Sequence, residues 1–457
     1  DQLSEFSGNE VRLIAINEGR LLDFLEHSEF REEFSGLRRF VHVALEGAEV
    51  DLDGILLVNL NLRAVTAGGS DCLLEKQLTE LLKEQLWRPC DNCELRDRCP
   101  IKHNVDSLRD EASGAAVRVR VRRLFEVIHL RRRAHVTMRD LRSVLSWMLL
   151  RDHDCDDVAR LLSRADNELT EDLANLYYPN AFADEERGER QTVEDRLVER
   201  LREVDVGLVN SPQLDRRIDH DPTKAVPWMT FEERSDYALE IMKELCRSVP
   251  RASDDAELSV LMRRRRGLLQ QWRRWAFFER RDEGWRSMLP YRSLSKVELL
   301  TLSGGNEDHD TVRADIRDAV VEAISYAEGL RNPMIGNSNL ALRVSRVKDP
   351  TVRSYRLFPK GAFRIEVAAT LHLAEYLECA PDAIDLVASE DLGQAKLRLS
   401  LDLLEMLELI RRGYRPSTAD LQGLFVNLMI FRNELLNLPF SKVIVTQDDA
   451  SFYEISS

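Results

Sequence analysis

The residues best suited to chemistry lie in one short stretch, WRPCDNCELRDRCPIKHN, from Trp87 to Asn104. Cys90, Cys93, Cys99 and His103 stand there in the order C-x2-C-x5-C-x3-H. Two cysteines separated by two residues form a tight knuckle that can aim both sulfurs at one ion. A third cysteine and a histidine a short loop later complete a tetrahedral set of soft and borderline ligands, which suits structural Zn²⁺. Three of the chain's seven cysteines fall within ten positions, closer than scattered core thiols would fall. His103 is the replaceable member, with Cys72 or Cys155 as substitutes. A closed four-ligand site leaves no open position for a substrate. The stretch therefore says how a segment is pinned, and the activity must be sought on either side of it.

Two alternatives stay open for the cluster: reduced thiols in an ordinary loop, and an iron–sulfur site, because Cys99-Pro100 is similar to the Cys-Pro end of ferredoxin-type motifs. The second chemistry-bearing stretch is LMRRRRGLLQQWRRWAFF, from Leu261 to Phe278. Leu261, Leu268, Trp272 and Trp275 recur near helical spacing and form one apolar stripe. Arg263, Arg264, Arg265, Arg266, Arg273 and Arg274 occupy the other faces. They can bind phosphates while the aromatics stack on bases, which makes nucleic acid a candidate ligand. The competing reading is a core helix whose arginines pair with acidic neighbours. His220 and His309, each beside an Asp, stand in hydrophilic loops and carry little metal or acid–base signal.

The elements that must position these residues come from 457 residues, enough for roughly two to four domains. Charged residues make up 32% and the formal net charge is −15, so wholesale non-specific nucleic-acid binding is not expected. No run approaches the ~18 apolar residues of a membrane span, and no signal peptide opens the sequence. An odd, mostly scattered cysteine set points to a reducing cytoplasm.

Along the chain, Val11 to Ile16 (VRLIAI) reads as a buried strand ending at Asn17-Glu18-Gly19. A helix follows, with Leu21, Leu22, Phe24 and Leu25 on its apolar face and Gly36 at its end. FVHVAL (40–45) and ILLVNLNL (55–62) read as further strands, and 71–86 as a helix. After the cysteines comes an Arg-dense run at 117–130. Thr137 then caps a helix whose apolar positions are Leu141, Val144, Leu145, Met148 and Leu149.

This order resembles the second half of an AAA+ type P-loop ATPase core followed by its helical lid, over residues 11–155. The resemblance implies a sensor role beside the γ-phosphate for Asn17. It implies an arginine finger reaching a neighbouring subunit's nucleotide for Arg38 or Arg39, and a lid arginine on the phosphates for Arg139. It also implies a homo-oligomer, because a finger acts in trans. The sequence departs from the family in one respect: no G-x-x-x-x-G-K-[ST] loop occurs anywhere in it. ATP and Mg²⁺ are thus expected only if a phosphate-binding half lies upstream of Asp1. VIVTQDD (443–449) reads as an ordinary strand and turn.

The fold class expected is mixed α/β and predominantly helical. A partial ATPase-like core is assigned to 1–86, a metal knuckle to 87–104, and a helical lid to 105–165. A mainly helical region covers 166–345 and an α/β domain covers 346–457. Within these, Leu197, Leu201 and Val204 mark a helix, 208–228 reads as a linker, and 231–249 reads as an amphipathic helix. Tyr355–Phe358 and Phe363–Ala368 read as strands, 397–412 as a helix ending at Gly413, a helix capped by Ser417 follows, and SKVIVT is a closing strand. The layout is similar to that of large bacterial ATPases from antiphage-defence loci, with a partner protein or effector engaged by the tail. Two other readings stand beside it: a non-enzymatic zinc-stabilised scaffold, and a nucleic-acid-binding regulator.

Overall fold

Three-four spacing of apolar residues governs most of the chain, and the outcome is a mixed α/β protein that is predominantly helical with two small antiparallel sheets. The computed structural model describes residues 11–45, 50, 52–111, 113–131, 136–163, 173–183, 196–220, 255–302, 309–330, 332–344, 352–368, 375–381, 383–415, 423, 425–438, 442–447 and 451–456. The helix expected at 231–249, the cap Ser417 and the acidic stretch around Asp184 lie outside the described residues. The chain divides into two compact units, one of residues 1–63 with 370–379 and one of 64–369 with 380–457.

In the first unit two helices, α1 (Glu18–Glu26) and α2 (Ser35–Leu45), close on Leu25, Phe40 and Val41. The three strands expected there are not formed. Residues 11–16 form no regular element and have no strand partner among the described residues, and Val11 and Leu13 are 99% and 98% exposed. An isolated strand gains no ladder hydrogen bonds, whatever its propensity. FVHVAL lies inside α2, because Leu37, Phe40, Val41 and Leu45 continue a helical stripe that starts before the apolar run. Residues 55–62 are irregular and end in a 3₁₀ turn, Leu60–Leu62. There the Asn59 side chain accepts from Asn61 N at 3.0 Å and Asn61 donates to Glu18 at 2.7 Å. These side chains take the backbone's partners and favour a turn over a ladder.

The second unit opens with α3 (Leu73–Leu81) and the short α4 (Glu84–Trp87), which break the single helix expected over 71–86 at Leu82. Next come α5 (Pro100–Arg109), α6 (Ser113–Arg131), α7 (Met138–Leu150) and α8 (Cys155–Ser163). Helix α7 is the one expected. Thr137 and Asp140 form a reciprocal capping box, and Leu141, Val144, Leu145, Met148 and Leu149 are its buried residues. Where α5 meets α6, a Cβ on Gly114 would lie 2.7 Å from the Leu108 carbonyl, so only glycine allows this close approach. Helix α9 (Arg196–Arg202) buries Leu197 and Leu201 as expected. The 208–228 linker contains instead a helix, α10 (Pro212–His220), because Pro212 after Ser211 is a good helix start.

The longest helix, α11 (Asp255–Glu279), buries its C-terminal half, including Trp272, Trp275, Phe277 and Phe278. Beyond it lie α12 (Leu294–Leu302), α13 (Asp310–Ala327) and the single turn α14 (Pro333–Gly336).

Strands β1 (Asn339–Arg343), β2 (Val352–Pro359), β6 (Lys442–Gln447) and β7 (Ser451–Ser456) form a sheet in the order β1-β2-β6-β7. Strands β3 (Phe363–Ala368), β4 (Ala383–Ala388) and β5 (Lys396–Leu399) form the second sheet in chain order. The strands expected at 355–358, 363–368 and 441–446 are thus present, although β2 and β3 enter different sheets. The helix expected from Leu397 starts later, as α15 (Leu401–Arg411). The run KLRL pairs with β4, and the Ser400 side chain accepts from Leu403 N at 3.3 Å. Gly413, at φ 97°, ends the helix as expected. Helix α16 (Val426–Asn437) buries Leu428, Phe431 and Leu435. No helix among the described residues is long and apolar enough to cross a membrane.

Candidate metal centre

The cysteine stretch folds as two similar 3₁₀ turns in succession. The first, Arg88–Asn92, is closed by Cys93 N donating to Cys90 O at 3.2 Å. The second, Arg96–Arg98, is closed by Cys99 N donating to Arg96 O at 3.4 Å. Cys93 and Cys99 each occupy the extended position after a turn, and Cys99 also precedes α5 as its N-cap. Cys90 and Cys99 are half-buried, Cys93 is exposed, and all three are free thiols.

His103 follows Cys99 by one helical turn, its backbone N–H donating to Cys99 O at 3.0 Å. One turn into α5, its ring lies edge-on to Tyr177 at 5.0 Å, stacks near Tyr178 at 6.3 Å and meets Trp275 at 6.0 Å. The ring is half-buried beside these aromatics. Cys155 is exposed as the first residue of α8. Burial raises the pKa of Cys90 most, and the charges of Cys99, Cys155 and Cys93 raise it further, with Lys102 opposing. Burial also leads the rise at Cys99. The backbone N–H groups of Lys102 and Ile101 oppose it, and Cys155 and Cys93 add to it.

Buried Asn104 is the polar tie between α5 and the chain that leads to α8. Its side chain donates to Leu149 O at 3.0 Å and Leu176 O at 2.9 Å and accepts from Tyr178 N at 2.8 Å. This ties the start of α5 to the end of α7. The chain then reverses through Arg151 and Asp152, both in the left-handed region at φ 51° and 57°. Such conformations are costly for residues with a Cβ, so the surroundings must hold them. Arg151 is buried, donates to Ala181 O at 2.5 Å and covers the Trp147 ring at 4.9 Å. Asp154 and Asp157 then exchange backbone-to-carboxylate bonds of 3.2 and 2.8 Å and start α8 at Cys155.

As placed, no three His, Cys, Asp or Glu side chains among the described residues converge on a point that an ion could occupy. The donor chemistry nonetheless fits a thiophilic cation.

The other expected site residues fall elsewhere. Asn17 is the N-cap of α1, its Oδ1 accepting from Gly19 N at 3.0 Å and Arg20 N at 3.4 Å. Arg38 lies 3.5 Å from Glu26, and Arg39 is exposed on α2. Arg139 is exposed in the first turn of α7. On α11, Arg263, Arg265 and Arg266 are exposed, and the side chain of Arg264 lies outside the described residues.

Arg273 and Arg274 are not available to phosphates. Arg273 grips Asp215 at 2.9 and 2.7 Å, and Arg274 grips Asp205 at 2.8 and 2.6 Å. Both arginines are buried, because the core-facing half of α11 carries them inward. His220 and His309 are not in loops either: His220 ends α10, and His309 is buried at the start of α13.

Two features escaped the sequence. Glu298 on α12 shares Arg123 with Glu126, and burial pushes its carboxyl up to about 7 against the pull of Arg123. A cavity of about 480 Å³ is lined by α12, α13 and α15. Its charges pair within it, Lys296 with Asp315 at 3.6 Å and Arg411 with Glu322 at 2.8 Å. No protein-family model, no curated protein and no solved structure matches this chain.

Proposed function

We propose that this chain acts as a scaffold, a helical body pinned by a thiolate-held metal at the 87–104 knuckle and used to assemble other proteins. The observation that carries this reading is the set of free thiols Cys90, Cys93 and Cys99 on two successive 3₁₀ turns. Helix α16 supports the second half of the reading. Its outer face places Val426, Met429 and Ile430 at helical spacing in solvent, an apolar row of the kind that protein partners bury. The test is metal analysis of the purified full chain with thermal unfolding before and after chelation. Near-stoichiometric zinc and a fall in stability on chelation are expected. A metal-free chain that unfolds at the same temperature with and without chelator would overturn the reading.

A second reading keeps the resemblance to an AAA+-like ATPase of the antiphage-defence type, with 1–86 as half of a nucleotide-binding core and α7 in the lid. The exposed run Val11, Leu13, Ile14 and Ile16, directly before Asn17, favours it. A strand taken from between its neighbours would present this surface. On this reading ATP and Mg²⁺ are held only with a phosphate-binding half from outside these residues. Asn17, Arg38 or Arg39, and Arg139 then act on the phosphates across subunits of a homo-oligomer. ATP turnover by the full natural polypeptide should fall in Arg139→Ala. Unchanged turnover in that variant removes the lid from this chain.

A further inference from the structure

We propose that the cavity of about 480 Å³ lined by α12, α13 and α15 binds a small organic anion, a carboxylate or a phosphate monoester carrying an apolar chain. The proposal is independent of the metal reading above and uses none of its residues. The apolar side chains lining the cavity are Val297, Ile316, Val320, Leu404 and Leu407, each buried in the core. They come from all three helices, and the space they enclose falls within the roughly 300–1,000 Å³ of ordinary small-molecule sites. Apolar walls with a few convergent polar groups are the usual form of such a site.

The two signs of charge around these walls are not equivalent. On α13, Asp315, Asp318 and Glu322 follow one another at three- and four-residue spacing and so share one face. Arginines already hold two of them: Asp318 accepts from Arg317 at 2.8 Å and Glu322 from Arg411 at 2.8 Å. On α15, Glu408 accepts from Arg411 and Arg412 at 3.0 and 2.9 Å. The lysines, by contrast, keep spare donors. Lys360, in the 3₁₀ turn between β2 and β3, has a side chain only 15% exposed, yet its ammonium has no hydrogen-bond partner among the described residues. Its carboxylate neighbour, Asp318, stands 3.9 Å away. Lys296 stands 3.6 Å from Asp315, also beyond hydrogen-bond length. The exposed Arg292 side chain lines the same cavity and has no hydrogen-bond partner among the described residues. An ammonium carries three donors, and leaving them unused in a mostly enclosed place costs free energy. An oxyanion at Lys360 uses them, with Lys296 and Arg292 adding charge, while the apolar chain covers the walls. A cationic ligand would instead meet carboxylates that arginines already occupy.

The experiment titrates the full chain with octanoate and with octyl phosphate, below their micellar concentrations, by calorimetry. It compares the parent with Lys360→Met and Ala319→Phe, each checked for folding by circular dichroism. Lys360→Met keeps the length of the side chain and removes its charge. Ala319→Phe puts a ring into the cavity from a half-buried position on α13. Saturable binding of at least one of the two anions is expected at one site per chain, weakened at least tenfold in each variant. The tighter of the two names the head group. Octan-1-ol and octylammonium, with the same chain and no negative charge, should bind at least tenfold more weakly than that anion. If either variant fails to fold, Lys296→Met, at a side chain 51% exposed, should still weaken the anion at least threefold. No saturable binding of either anion overturns the proposal. Unchanged binding in a folded Lys360→Met or Ala319→Phe also overturns it, because the ligand then sits elsewhere. Octan-1-ol or octylammonium binding as tightly as the anions overturns the role given to the cations.

Discussion

Arg274→Ala should be among the most damaging single changes in this chain. The guanidinium meets Asp205 through two parallel bonds of 2.8 and 2.6 Å, and the aspartate side chain is only 1% exposed. The backbone leaves no slack around the pair, since a Cβ on Gly207 would lie 2.7 Å from the Arg274 Nε. Removing the cation leaves a carboxylate in a dry site with the Gly207 N–H at 2.8 Å as a remaining donor. Breaking one side of such a pair costs ~3–5 kcal/mol. That is a large part of the roughly 5–15 kcal/mol that holds a typical domain together.

Urea unfolding, read by the fluorescence of the neighbouring Trp272 and Trp275, measures the loss. Asp205→Ala and the double variant complete a cycle whose coupling should exceed ~2 kcal/mol. Arg273→Ala should cost less, about 1.5–3 kcal/mol, because its partner Asp215 keeps some contact with solvent at 21% exposure. A loss below ~1 kcal/mol for Arg274→Ala, or strict additivity in the cycle, would refute the reasoning. If the same variant were stable but lost nucleic-acid binding, the phosphate reading of this arginine would return.

Asn104→Ala should cost ~3 kcal/mol or more in the same assay, because it strands the Leu149 and Leu176 carbonyls and the Tyr178 N–H in the core. Thr137→Ala removes the capping box of α7 and should cost only ~1 kcal/mol, its surroundings being exposed. Glu298 sets a pH dependence. Its unfolded carboxyl titrates at 4.5 and its folded one at about 7, so between these values the native chain keeps a proton that the unfolded chain has lost. Stability therefore falls as pH rises through that window, and Glu298→Gln should flatten the fall, gaining up to ~3 kcal/mol at pH 8 relative to the parent. Identical pH profiles for the two proteins would contradict this. Neutralising Arg263, Arg265 and Arg266 together should leave stability within ~0.5 kcal/mol, since all three are exposed.

What was legible from the letters follows from how local each signal is. The α7 cap and stripe were readable because Thr137, Asp140 and the five buried apolar residues lie within one helix. The strands β2, β3 and β6 were readable from alternation and β-branched content. The first sixty residues misled because VRLIAI and FVHVAL have strand letters, yet a strand exists only with partners. In the second run Leu37 upstream already set a helical period. Helix α11 shows the limit most directly. Its arginines at 263–266 and 273–274 look alike in sequence, yet Arg263, Arg265 and Arg266 are exposed while Arg273 and Arg274 are buried. The difference is made by Asp205 and Asp215, 69 and 58 residues away in the chain. The thiol cluster was half legible for the same reason. Cys90, Cys93 and Cys99 are neighbours in sequence, whereas any fourth donor must be brought by packing that the spacing does not encode.

The identity of the fourth ligand decides what a metal does for this fold, and the difference is large enough to measure. A bond between the knuckle and His103 would close a loop of only a few residues that the turns and α5 already define, and so would remove little freedom from the unfolded chain. A bond to Cys155 closes a loop of roughly 55 residues that includes α5, α6 and α7. By the loop-closure estimate a cross-link of that span stabilises by ~4 kcal/mol. The packing of α5 on α6 and α7 is mostly apolar and tolerant of sliding, with Asn104 among the polar contacts that set its register. A metal joining the two ends of this segment would hold that register as well. Chelation should therefore lower the stability of the parent by several kcal/mol and speed amide exchange throughout α5, α6 and α7. A change confined to 87–104 would mean that the metal is a local knuckle and that Cys155 takes no part in it.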